Sequence, residues 1–234
     1  MKAIILTGGR GKRLGALTKN LQKGALSFNG NPLICHTLSS LTNISGIGEM
    51  FILTGYRGED IEQIIFSRFS AEKIRLLHFP AVMGNLSRLS AAFTQIDIIN
   101  GCFVCGIDSL IPVNVAQRFL TFSAQNNNYP LLLLSPRLKT ALTHSLVVFR
   151  EGAVVSYQNL KRKGTEDFGR DFYIDAGFRY FPASFCQLIK KEGIFNKRYI
   201  PHFISEAVRK GRQFSGLTFT ESWRHFSSAR DFCR

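Results

Sequence analysis

The stretch Ala3-Ile4-Ile5-Leu6-Thr7-Gly8-Gly9-Arg10-Gly11-Lys12-Arg13-Leu14 holds two signals in succession. Residues 3–6 are a continuous apolar run, the pattern of a strand covered on both faces of a parallel sheet. Glycines 8, 9 and 11 follow at once, so the backbone can approach an anion closely and its amides can form an anion-binding nest. Arg10, Lys12 and Arg13 add cations beside them. An ordinary glycine-rich turn would account for the glycines but not for the cations. The loop is not a P-loop, because Leu6 stands where the first glycine belongs and Leu14 differs from the third glycine of a dinucleotide fingerprint.

Charge along the chain points the same way. Lys and Arg number 30 against 16 Asp and Glu, a net of +14 over 234 residues. No acidic residue precedes Glu49, whereas Lys2, Arg10, Lys12, Arg13, Lys19 and Lys23 all do. Cations so concentrated beside glycines indicate a phosphate site rather than a diffuse basic coat. No basic–aromatic recognition motif accompanies them, which sets nucleic acid aside as a partner. The 45% hydrophobic and 20% charged content excludes wholesale disorder. No apolar run approaches the roughly 18 residues of a membrane span, and residues 3–6 are too short for a signal-peptide core. The five cysteines make no disulfide framework, so a cytoplasmic protein is expected.

Outward from the opening strand, apolar runs alternate with helical periods. Strands are predicted at 50–53, 74–79 and 102–105, and helices at 32–41, 59–69, 87–96 and 113–125. After Pro130 shorter strands follow at 131–135, 145–149, 153–157 and 172–180. Helices at 182–191 and 201–210 and a strand at 214–220 complete the pattern. This is an α/β chain with a parallel βαβ half, 1–125, and a mixed half, 126–234, within one domain spanning 1–234.

Cys102-Phe-Val-Cys105 ends the fourth strand, with Gly106-Ile107-Asp108 beyond it. On a strand, residues three apart face opposite sides, and no second ligand pair exists elsewhere, so core cysteines are expected rather than zinc ligands. Asp108 sits at the carboxyl edge of a predicted parallel sheet, where α/β proteins bind ligands. A turn cap and a metal ligand are both open to it. His36, His78, His144 and His202 have no ligand-like spacing.

Gly8-Gly9-x-Gly11-x-Arg13-Leu14, then Leu17-Thr18, Lys23 and Gly30-Asn31-Pro32-Leu33-Ile34, resembles the opening of the sugar-1-phosphate nucleotidyltransferases, enzymes of the NDP-sugar pyrophosphorylase type. Spacing from glycines to arginine to lysine matches without a gap, while Thr7, Lys12, Ala16 and Gln22 depart from the usual residues. The resemblance implies a Rossmann-like α/β/α sandwich with a mixed, mostly parallel central sheet. It also implies a reaction of an NTP with a sugar 1-phosphate to give an NDP-sugar and pyrophosphate. Leu6, Gly8, Gly9, Gly11, Lys12 and Arg13 would then bind the nucleotide phosphates, with Arg13 and Lys23 as the catalytic cations.

The resemblance continues with gaps. Gly84-Asn85-Leu86-Ser87-Arg88-Leu89 is similar to the segment that receives the base, with Asn85, Ser87 and Arg88 as departures. Asp108 would hold Mg²⁺, although Ile107 shifts the register by one residue. Tyr173-Ile174-Asp175-Ala176-Gly177-Phe178 resembles the strand that meets the sugar, through Asp175 or Gly177. Lys161 and Lys163 are candidates for the acceptor phosphate, against a solvated basic loop. Trp223-Arg224-His225 resembles the closing segment, with His225 where the second metal-binding aspartate stands, a change that favours Mn²⁺ or Co²⁺. The chain length suggests no attached acetyltransferase domain. Two alternatives share these features: a phosphocholine-type cytidylyltransferase, and a degenerate, non-catalytic nucleotide-binding relative.

Overall fold

The computed structural model of the protein describes residues 1–70, 72–136, 145–159, 171–192 and 199–232. The first half runs β1 (Lys2–Leu6), a short hairpin of β2 (Ser27–Phe28) and β3 (Asn31–Pro32), α1 (Leu33–Thr42), β4 (Glu49–Thr54) and α2 (Gly58–Arg68). It continues with β5 (Ile74–His78), α3 (Asn85–Ala92), β6 (Cys102–Gly106), β7 (Ser109–Leu110) and α4 (Val113–Gln125). The second half comprises β8 (Leu131–Ser135), β9 (Ser145–Arg150), β10 (Ala153–Asn159), β11 (Phe172–Phe181), α5 (Ala183–Glu192), α6 (Ile200–Arg209), β12 (Ser215–Thr218) and β13 (Arg224–His225).

One nine-stranded sheet, ordered β5-β4-β1-β6-β11-β8-β12-β10-β9, passes through both halves. Its period of two explains the layers. Ala3 and Ile5, Phe103 and Cys105, and Leu131 and Leu133 face α1, α2 and α4 through Leu38, Ile61, Ile65 and Phe119. Ile4, Cys102 and Val104, and Leu132 and Leu134 face α3, α5 and α6 through Leu89, Ile189 and Ile204. The central strands are buried on both sides, which is why they read as unbroken apolar runs.

The expected α/β/α sandwich is therefore present, with its parallel ladders concentrated in one half. Pairs β5–β4, β4–β1 and β1–β6 are parallel. At β11 the chain turns antiparallel to both β6 and β8, and only β12–β8 is parallel beyond it. Cys102 and Cys105 enter opposite cores, as their spacing requires, and burial pushes the Cys105 thiol up to about 12. The third helix begins two residues earlier than its apolar period indicates, at Asn85, because Gly84 takes the extended N-cap conformation. The two-residue strands β2, β3, β7 and β13 carry no period, and sequence pattern does not reveal them. Among the described residues no helix is long and apolar enough to cross a membrane.

The order β4-β1-β6 reverses direction at β1. The crevice outside the carboxyl ends of β1 and β6 is the switch point where open α/β sheets bind ligands.

Candidate active site

A cavity of about 940 Å³ opens at that switch point. Every site residue expected from sequence that is among the described residues lines it. Lys161, Lys163 and His144 lie outside the described residues.

The glycine loop leaves β1 with Thr7 N–H on the carbonyl of Leu53, 3.0 Å away. Gly11 adopts φ +60, a left-handed conformation that glycine enters without strain, and starts the 3-10 turn of residues 12–18. The Leu14 amide and the Thr18 hydroxyl both donate to the Gly11 carbonyl, at 2.7 and 3.1 Å. Lys12 and Arg13 are exposed on the cavity rim. Gly8 has a more specific reason to be glycine than anion approach. A Cβ there would collide with the guanidinium of Arg88, whereas a Cβ on Gly9 would meet nothing within 4 Å.

Gln22, a departure from the family pattern, has a clear structural place. Its side-chain amide donates to the carbonyl of Thr7 and accepts from the amide of Gly24, so it fastens the turn bearing Lys23 to the exit of β1. Its backbone N–H donates to Asp60 Oδ2 at 2.7 Å, and Arg57 holds that carboxylate from the other side at 2.9 Å.

Lys23 Nζ meets Asp108 Oδ2 at 3.0 Å across the crevice. Burial raises the Asp108 carboxyl, but Lys23 and then His225 overcome this and hold it well below the usual carboxylate range. The β7–β13 pairing sets His225 opposite Ser109, whose hydroxyl lies 3.1 Å from Nδ1 of the imidazole. The Phe226 amide donates to the Asp108 carbonyl at 2.8 Å, which brings the closing segment up to the turn. Lys23, expected as a catalytic cation, and Asp108 and His225, expected at the metal, are neighbours here. Among the described residues no three His, Cys, Asp or Glu side chains converge as a ligand set.

At the far end of the cavity Asp175 is enclosed. Its Oδ2 accepts from Tyr157 Oη at 2.7 Å and from Arg179 Nε and Nη2, each at 2.8 Å. Its Oδ1 accepts from the Gly177 amide at 2.8 Å, and Gly177 takes φ +83 in the bulge where the β11–β8 register shifts. Burial opposes the Arg179 charge, but Asp175 holds its pKa well above the ordinary value. Burial and the same carboxylate raise Tyr157. Asp175 thus acts on whatever fills the cavity mainly by shaping Gly177 and fixing Arg179. Asn85 is likewise engaged: its Oδ1 accepts from Ile200 N at 2.9 Å and ties α3 to the start of α6.

Two cationic cavity residues, Arg88 and Arg179, were not assigned to the site from sequence. Arg179 has Asp175 four residues before it, a signal that was available. Arg88 stands out only as an arginine among apolar neighbours without an acidic residue three or four positions away.

Known proteins similar to this chain are nucleotidyltransferases. Residues 2–100 match the family described as nucleotidyl transferase. The chain is 28% identical to the D-glycero-alpha-D-manno-heptose 1-phosphate guanylyltransferase of Aneurinibacillus thermoaerophilus over 172 residues, which is 72% of this chain and 70% of that protein. It is 45% identical to the glucose-1-phosphate adenylyltransferase of Bacillus subtilis (strain 168) over 64 residues, 27% of this chain and 17% of that protein. The solved inositol-1-phosphate CTP transferase from T. maritima shares the fold, with a TM-score of 0.79, 19% identity and coverage of 98% of this chain and 90% of that one.

Proposed function

We propose that the protein joins an NTP to a sugar 1-phosphate, giving an NDP-sugar and pyrophosphate, with residues 1–125 serving the nucleotide and 126–234 the acceptor. The observation that carries this is one shared cavity, lined by the glycine loop, by Lys23 and Asp108, and by Asp175 and Gly177. A phosphate oxygen of the acceptor attacks the α-phosphorus, a new O–P bond forms, and the bond to the pyrophosphate oxygen breaks. No protein nucleophile takes part, so catalysis is positioning and charge neutralisation.

In this reading Gly9, Gly11, Lys12 and Arg13 receive the phosphates that become pyrophosphate. Lys23 turns from Asp108 toward the α-phosphate. Gly84 and the first turn of α3 border the base. Gly177 and Arg179 border the sugar, and Lys161 belongs to the acceptor phosphate. Asp108 offers a divalent cation one hard oxygen ligand, and His225 adds a nitrogen beside it. That set suits Mg²⁺ only if phosphates and water supply the remaining ligands, as is usual for this ion. When bound, such an ion neutralises phosphate charge. The use of an NTP as substrate supports a cytoplasmic location.

Pyrophosphate release across four NTPs, with sugar 1-phosphates and phosphocholine as acceptors, tests the proposal. Turnover with one NTP and a sugar 1-phosphate is expected. Turnover confined to CTP and phosphocholine would assign the cytidylyltransferase alternative. NTP binding without turnover under any pairing would assign the non-catalytic one.

A further inference from the structure

Arg88 occupies the first turn of α3 and is 2% exposed, yet it lines the cavity. Its guanidinium is wedged beneath the glycine loop, where a Cβ on Gly8 would collide with it and one on Gly55 would lie 2.6 Å from Nη2. Nη2 donates to the carbonyls of Gly8, at 3.3 Å, and Met83, at 3.0 Å. Nε is buried with no hydrogen-bond partner. Among the described residues no carboxylate pairs with this charge, and burial lowers its pKa with nothing opposing the shift. A buried charge without a counter-charge weakens a fold, so its retention at a cavity wall needs a reason.

The Gly8–Gly9 peptide supplies one. The Gly8 carbonyl is held by Arg88 Nη2 and by the Tyr56 amide, both at 3.3 Å. A trans peptide sets its C=O and N–H on opposite sides. With the carbonyl fixed toward Arg88, the Gly9 N–H is turned the other way, where Gly9 is exposed and a Cβ would meet nothing. A hydrogen bond from a cation to the carbonyl also polarises the peptide and strengthens its N–H as a donor.

We propose that Arg88 is a positioning residue for the nucleotide's polyphosphate: it fixes the Gly8–Gly9 peptide with the Gly9 amide presented to the cavity, and it supplies from below a positive charge that the polyanion balances. The proposal rests on the nucleotidyltransferase reading.

The test titrates inorganic tripolyphosphate and an uncharged nucleoside into the full chain, as wild type, Arg88→Met and Arg88→Lys. The Gly9 amide resonance and the thermal midpoint are followed throughout. Wild type binds tripolyphosphate and the Gly9 resonance moves. Arg88→Met weakens that binding at least tenfold, leaves nucleoside binding within twofold and does not lower the thermal midpoint. Arg88→Lys recovers part of the affinity. A purely structural strut would instead lower midpoint and affinity together, with both ligands affected alike, and that result overturns the proposal. So does tripolyphosphate binding within twofold of wild type in Arg88→Met. If Arg88→Met does not fold, Arg88→Lys and Arg88→Gln decide, with affinity expected to follow arginine, lysine, glutamine; equal affinity in the two overturns the proposal. Wild type that binds neither NTP nor tripolyphosphate removes the nucleotidyltransferase reading and Arg88 with it, whereas a binding wild type with unaltered variants removes Arg88 alone.

Discussion

At the end of the cavity proposed to take the nucleotide, Lys12, Arg13 and Arg88 have no carboxylate partner among the described residues, and Gly9 is exposed and Gly11 partly so. At the end proposed for the acceptor Arg179 is locked onto Asp175 by two nitrogens, Tyr157 donates to the same oxygen, and the Gly177 amide takes the other. One end therefore holds positive charge that only a ligand can balance. The other balances its charge internally and spends it on a fixed shape. Lys23 and Asp108 stand between them, an ion pair that an incoming phosphate can exchange.

The contrast breaks most visibly if the buried network is not what holds the acceptor end. Asp175→Ala leaves Arg179 and Tyr157 buried without their common partner, and stability to urea is expected to fall by about 3–5 kcal/mol. Replacing Asp175 and Arg179 together by Leu and Met should restore most of that loss. A fall under about 1 kcal/mol in Asp175→Ala would show that the network is not sealed as described.

At the nucleotide end the expectation is reversed, with large effects on rate and small ones on folding. Arg13→Ala and Lys23→Ala should each reduce turnover about a hundredfold, or roughly 3 kcal/mol, while thermal midpoints stay close to wild type. Near-wild-type turnover in both variants would dismiss the phosphate site.

Metal preference probes the middle of the cavity. With His225 beside Asp108, Mn²⁺ or Co²⁺ should support more turnover than Mg²⁺, and His225→Asp should restore activity with Mg²⁺. Mg²⁺ activity that is strong in wild type and unchanged in the variant would place His225 away from the metal.

The smallest effect is in acid stability. Folded Asp108 titrates below the ordinary unfolded carboxylate value of about 3.9, so its pair with Lys23 contributes fully above that pH. The contribution is lost as pH falls further toward the depressed folded value. Because the Asp108 side chain is 34% exposed, it amounts to about 1 kcal/mol or less. Acid denaturation of Asp108→Asn should show that loss already at neutral pH and a flatter acid limb; an unchanged acid limb would remove the pair as a stabilising contact.

Much of the fold was legible because the central strands are double-faced apolar runs, as in 3–6 and 131–135, and these survive any tertiary context. The glycine loop was legible for a similar reason: glycines, cations and missing carboxylates lie within a few residues of each other. Asp175 was recognised by position but not by behaviour. Its partners come from β10 and from beyond a bulge at Gly177, and a one-residue register shift does not show in a pattern of period two. Arg88 was seen as a departure from a motif rather than a member of the site. Its burial depends on Gly8 and Gly55, 80 and 33 positions away, leaving room for it, and helix periodicity carries no such information. Gln22 shows the converse, since a residue that looks like a loss in sequence proves to hold the Lys23 turn in place.

The most direct measurement is calorimetric titration of an NTP and of a sugar 1-phosphate into the same protein at low and high salt. If unbalanced cations define the nucleotide end, NTP affinity falls steeply as salt screens them, while the sugar 1-phosphate, which brings one phosphate to Lys161 and its sugar to the internally balanced network, changes less. NTP binding that is absent at low salt, or no more salt-sensitive than acceptor binding, would contradict the account.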